Sequence, residues 1–144
     1  MIKIEFRTFK SSKVSFKYPV TWEVEKANIS NNPDCIATIS KGEENLLNVV
    51  EFPTRADIEE FKPLMEDLIT DDGGVIISSD FVLKANKEAI ELHAVMYTPQ
   101  INFDIYTYVF IEENNIYIFE LRTVDGSDEV LKEYDDLINS FEII

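Results

Sequence analysis

The stretch EAIELHAVMYTPQINFDIYTYVFIEENNIYIFELRTV, residues 88–124, decides the fold. It is dense in β-branched and aromatic residues and is interrupted at only two places, Pro99-Gln100 and Glu112-Glu113-Asn114-Asn115. Such residues suit a pleated, half-buried surface, while Pro and Asn are turn formers, so the stretch reads as three strands, 88–97, 101–111 and 116–124, joined by tight turns. Connections this short make neighbouring strands antiparallel.

Registering the strands against one another gives the first candidate site. If Ile111 faces Ile116, then Thr107 faces Glu120 and Ile105 faces Arg122; if Tyr97 faces Ile101, then His93 faces Ile105 and Glu91 faces Thr107. Glu91, His93, Thr107, Glu120 and Arg122 then share one face. The other face carries Leu92, Ala94, Met96, Tyr106, Tyr108, Phe110, Tyr117, Phe119 and Leu121, an apolar layer suited to receive helices. Two readings of the polar face stand side by side. In one it is a binding surface, with Arg122 engaging a carboxylate and His93 titrating near neutral pH. In the other it is the ordinary solvated side of an antiparallel sheet, with surface ion pairs worth about 0–1 kcal/mol.

Outward from this stretch, residues 75–83 form a further strand candidate. Val14, Phe16 and Tyr18 alternate with Ser15 and Lys17, and Trp22 and Val24 alternate with Glu23 and Glu25, both with the period of a strand buried on one face. Asn28 to Pro33 reads as a polar loop, and 35–39 and 46–52 as a hairpin through Gly42-Glu43-Glu44-Asn45. The period changes at 57–69, where Ile58, Phe61, Leu64, Met65, Leu68 and Ile69 line one side of a helix that Thr54 or Asp57 caps. Pro63 lacks the N–H that would bond to Glu59, so it is expected to kink this helix or to move its start downstream. A second helix carries Val130, Leu131, Tyr134, Leu137, Ile138 and Phe141. Ser127 caps it, Asp128 and Glu129 sit at the positive end of its dipole, and 142–144 form a short last strand.

Strands dominate and helices enter singly, so the class is α+β: an antiparallel sheet packed with two helices, in one domain over residues 1–144. The opening Val14-Ser15-Phe16-Lys17-Tyr18-Pro19 with Trp22-Glu23-Val24, and the closing Leu137-Ile138-Asn139-Ser140-Phe141, resemble the signatures of the superfamily of PsbP, the Ran-binding nuclear transport factors and bacterial DcrB-type proteins. The resemblance spans nearly the whole chain and implies a PsbP-like α-β-α sandwich whose common thread is binding to another protein.

Charge narrows the partners. The chain has 28 acidic and 13 basic residues among 144, a net of -15, which repels nucleic-acid phosphates and anionic membranes; it either helps steer a partner with a basic surface or a cation toward the protein, or merely keeps the protein soluble and monomeric. Cys35 is the only cysteine, which suits a reducing compartment, and the charged start Lys3, Glu5 and Arg7 does not read as a signal peptide, so a cytoplasmic location is expected.

Catalytic motifs are missing. His93 is the sole histidine, there is no G-x-S-x-G elbow, and Gly73-Gly74 is not followed by the Lys-Ser or Lys-Thr of a phosphate loop. Neither Asp71-Asp72-Gly73 nor Asp125-Gly126-Ser127-Asp128-Glu129 has the spacing of a calcium loop, and both read as helix-end chemistry. No enzyme, metal site or cofactor is therefore expected. The leading expectation is a protein-binding adaptor, chaperone or regulatory module. The alternative is a small-molecule or cation-binding domain that uses the polar sheet face.

Overall fold

The computed structural model describes residues 5–25, 34–124 and 126–144. The described residues build, in order, β1 (Phe6–Lys10), β2 (Val14–Pro19), β3 (Glu23–Glu25), β4 (Cys35–Lys41), β5 (Asn45–Pro53), α1 (Ile58–Asp71), β6 (Gly74–Lys84), β7 (Lys87–Tyr97), β8 (Asn102–Glu112), β9 (Asn115–Thr123), α2 (Asp128–Asn139) and β10 (Glu142–Ile143). A seven-stranded sheet has the order β3-β4-β5-β9-β8-β7-β6, and a three-stranded sheet the order β1-β2-β10; every pairing is antiparallel. The expected α+β class holds. The expected loop 28–33 lies outside the described residues, as does Asp125.

Local chemistry sets the turns and caps. Glu113 and Asn114 have φ of 51° and 65°, the paired positive values of a two-residue hairpin turn, and Ala85 and Asn86 repeat the pattern between β6 and β7. The Asp57 carboxylate accepts from the Glu60 backbone N–H at 2.8 Å and caps α1, and Ser127 does the same for α2 through Val130. Gly73, at φ 91°, follows the end of α1, where a side chain would be strained. Helix α1 runs through Pro63: it begins upstream of the proline, at the Asp57 cap, and is not pushed downstream.

The large sheet is covered on both faces, which makes the molecule a sandwich. Against one face, α2 and β2 bury Trp22, Phe16, Tyr134, Leu137 and Ile138 on Phe110, Phe119 and Leu121. Phe110, Phe119 and Phe141 meet at ring separations of 5.0–6.1 Å, in tilted and edge-on geometries. Against the other face, α1 buries Ile58 and Met65 on Ile90, Leu92, Ala94, Val109 and Ile116. A fully buried aromatic or aliphatic side chain contributes about 1.5–3 kcal/mol, so each of these layers far exceeds any surface contact.

One strand escaped the sequence reading. β1 exposes Phe6, Arg7, Thr8 and Lys10 and half-buries only Phe9, which stacks on Phe16 at 4.9 Å. With so little burial it leaves no alternating pattern to recognise.

Candidate functional site

The register of the hairpins decides which polar residues meet. β8 and β9 pair as expected, with Ile111 opposite Ile116, Thr107 opposite Glu120 and Ile105 opposite Arg122. β7 and β8 are offset by one residue from expectation: Tyr97 pairs with Asn102, His93 with Tyr106 and Glu91 with Tyr108. The cause lies in the connection. Pro99 and Gln100 are the two central residues, flanked by Thr98 and Ile101, whose backbones are linked by an N–H to carbonyl bond of 3.2 Å, so Tyr97 meets Asn102. Because side chains alternate faces, this single step moves all of β7 to the other side relative to β8.

The expected five-residue cluster is therefore divided. Thr107, Glu120 and Arg122 lie on the α1 side, and Glu91 and His93 lie on the α2 side. The expected apolar layer divides likewise: Leu92 and Ala94 pack under α1, with Met96 beside them, while Tyr108, Phe110, Tyr117, Phe119 and Leu121 face α2, with Tyr106 packed beside them.

On the α2 side, Glu91, His93, Tyr106, Tyr108, Tyr134 and Asp135 line an open cleft of about 450 Å³, within the size range of small-molecule sites. His93 Nε2 is 2.9 Å from Asp104 Oδ1, and the imidazole stacks on Tyr106 with ring centres 4.2 Å apart. The Tyr108 hydroxyl donates to Glu91 at 2.5 Å, Lys84 forms an ion pair with Asp135, and the Lys84 ammonium lies 5.4 Å from the centre of the Tyr108 ring. Burial, and then the Glu91 hydrogen bond and charge, push the Tyr108 hydroxyl far above its ordinary value; burial followed by the charge of Asp104 raises Tyr106. Both tyrosines thus stay neutral donors through the physiological range.

On the α1 side a groove of about 460 Å³ runs between the helix and strands β8 and β9. Met65, Leu68, Phe103, Ile105 and Ile118 supply its apolar lining, and Thr107, Glu120 and Arg122 its polar end. Arg122 Nε donates to Glu120 at 2.6 Å, and the guanidinium is 5.9 Å from the centre of the Phe103 ring. With half of the Arg122 side chain exposed, the pair is worth about 0–1 kcal/mol.

A third feature departs from the periodicity, which placed Leu64 and Leu68 on the apolar side of the helix. Leu64 and Leu68 on α1, and Val75, Ile77, Phe81 and Leu83 on β6, are all exposed, with Leu83 at 74% and Leu68 at 63%. They do not form one surface: Leu68 lines the groove over β8 and β9, whereas Phe81 and Leu83 border a recess with Ile58. Helical and strand patterns predict which side chains face a core, but not that these elements stand at the border of the sandwich.

The acidic turns have structural duties. Asp72 is the C-cap residue of α1, and Asp128 and Glu129 occupy the first turn of α2.

No family model matches the chain, and no curated protein matches it. Solved structures do. PsbP from the cyanobacterium Synechocystis superposes with a TM-score of 0.71 at 12% identity, covering 99% of this chain and 94% of that one. LpqN of Mycobacterium tuberculosis, described as involved in cell envelope biogenesis, gives 0.62 at 11% identity over 97% and 91%. A Bacteroides thetaiotaomicron protein gives 0.60 at 10% identity, over 91% of this chain and 45% of that one. Likeness at such low identity speaks to architecture alone, and it agrees with the resemblance carried by the Tyr18-Pro19, Trp22 and Ser140-Phe141 positions: the chain has the PsbP-like α+β sandwich fold.

Proposed function

We propose that the protein is a non-catalytic protein-binding module, an adaptor, chaperone or regulatory subunit, whose partner carries a basic surface. The observation that carries this reading is the exposed apolar pair Phe81 and Leu83 on β6, beside a recess with Ile58, on a chain of net charge -15. Clustered exposed apolar side chains on a soluble domain mark interaction surfaces, and an acidic surround steers cationic partners toward them.

Affinity capture from lysate of the source organism, comparing wild type with Phe81→Asp and Leu83→Asp, tests the proposal. Leu46→Asp, at an exposed position on β5, is the control. Loss of the same retained protein in both test variants but not in the control is expected. Retention unchanged by both would refute the assignment of the surface.

A second reading rests on the α2-side cleft, where Glu91, His93, Tyr106 and Tyr108 converge in a volume fit for a small molecule or an organic cation. A thermal-shift panel of amines and metabolites separates the two readings, because a ligand of the native state raises the unfolding midpoint. A raised midpoint abolished by Glu91→Gln would favour the cleft.

A further inference from the structure

β6 is the outermost strand of the seven-stranded sheet and pairs only with β7. Its other edge presents main-chain N–H and C=O groups to which no strand among the described residues is paired. Proteins normally blunt such edges by shortness, charge or a bulge. The opposite border of this sheet, β3, has three residues, two of them exposed glutamates. β6 has eleven residues, and Gly73 to Ser79 contain no charge at all. A bulge between Ile76 and Ser78 interrupts it, leaving an unbulged run from Ser78 to Lys84.

That run offers two distinct faces. Phe81 and Leu83, 53% and 74% exposed, lie on the α1 side, where they border a recess with Ile58. Asp80, exposed, lies on the other side and pairs in register with Glu91 of β7. Glu59 and Glu88 also border the recess. The nearby cations are engaged, Lys84 with Asp135 and Lys62 with Glu66, and the Lys62 ammonium already rests 5.6 Å from the centre of the Phe81 ring.

We propose that the Ser78–Lys84 edge of β6 receives an extended segment of a basic partner by strand addition, apolar side chains alternating with Lys or Arg. The period of two places the apolar set over Phe81 and Leu83 and the cations beside Asp80. A second copy is the poorer occupant, since it brings another net charge of -15 and another bulge to the same edge. The inference rests on the protein-binding reading and specifies the partner's conformation and charge.

The probe is a blocked eight-residue peptide of alternating lysine and valine, titrated into isotopically labelled protein at low salt and followed through backbone amide shifts. Shifts centred on Ser78–Lys84 are expected, with binding at least about tenfold weaker for the glutamate-valine peptide. The lysine-valine peptide should also weaken when every second backbone nitrogen is methylated, which removes the ladder donors. Asp80→Lys, at an exposed position, should reverse the charge preference, and Phe81→Lys should abolish binding; amide spectra show directly that both remain folded. Equal binding of the methylated peptide, or shifts confined to Leu64 and Leu68, would overturn strand addition while leaving a protein-binding surface in place. No shift anywhere would overturn strand addition and count against that surface as well. A peptide-free dimer in sedimentation, formed through β6, would replace the basic partner with a second copy and overturn the proposal.

Discussion

Replacing Glu133 with alanine should destabilise the protein more than any other single change of a charged side chain described above. Glu133 lies on α2, and its carboxylate is the acceptor at a junction of three elements. The Trp22 indole N–H donates to Oε2 at 3.1 Å, the Thr21 hydroxyl donates to the same oxygen at 3.2 Å, and Lys41 Nζ lies 2.6 Å from Oε1. Trp22 is 2% exposed, so without Glu133 its N–H has neither an acceptor nor water. An orphaned buried donor costs about 1–3 kcal/mol. The Lys41 contribution is smaller, because a quarter of that side chain is exposed and Glu129 offers a second carboxylate at 3.4 Å; about 0.5–1 kcal/mol is appropriate. Together the loss is about 1.5–4 kcal/mol, read as a fall in urea midpoint at unchanged slope. Glu133→Gln keeps an acceptor for Trp22 and should cost only about 1 kcal/mol. An alanine variant within about 0.5 kcal/mol of wild type, or a glutamine variant as damaging as alanine, would refute the assignment of Glu133 as the indole acceptor. The junction also fixes a pH dependence. Burial pulls the Lys41 ammonium down, but the hydrogen bonds and charges of Glu133 and Glu129 outweigh it, and its pKa rises above 10.5. A group raised on folding stabilises fully below its unfolded value, so this share persists at neutral pH and is lost only as pH climbs through the raised value. Glu133→Ala should diminish that alkaline component, leaving the share that Glu129 supplies.

A Cβ at Gly74 would lie 2.6 Å from the Met96 sulfur and 2.7 Å from Ile69 Cγ2, so Gly74→Ala should cost about 1–3 kcal/mol in urea unfolding, and a neutral result would show that α1 can shift away from β6. Burial raises the hydroxyls of Tyr106, Tyr108, Tyr117 and Tyr134 above 10.0, so their stabilisation is complete below the unfolded value and lost as pH rises beyond it. Phenolate absorbance from the buried Tyr108, Tyr117 and Tyr134 should appear together with unfolding, and ionisation at the ordinary value in folded protein would contradict their burial. Arg122→Ala should change stability by no more than about 1 kcal/mol, because its partner Glu120 remains hydrated; a larger loss would mean that the groove's polar end is tied into the core.

Local chemistry was legible in the linear chain. Asp57 and Ser127 are caps because a short side-chain oxygen three residues ahead of an orphan N–H satisfies it, whatever surrounds the helix. Glu113 and Asn114 close a two-residue turn, and the turn fixes the register of β8 on β9 without reference to the rest of the molecule. The number and type of the middle elements, and the resemblance at Tyr18-Pro19, Trp22 and Ser140-Phe141, came from the same short-range patterns.

Tertiary structure decided what distance in sequence conceals. A one-residue offset at Pro99-Gln100 sent Glu91 and His93 to the α2 side and Thr107, Glu120 and Arg122 to the α1 side, because alternation has a period of two and any odd step exchanges faces. Glu133 reads as an ordinary surface residue of an amphipathic helix, and only the packing of α2 on the β2–β3 region, across 111 positions, makes it the acceptor for Trp22. The free edge of β6 is likewise a property of strand order. Whether a run such as Val75-Ile76-Ile77 is buried between neighbours or stands at the border of a sheet depends on which strands close around it, and that is settled by the whole fold rather than by any segment of it.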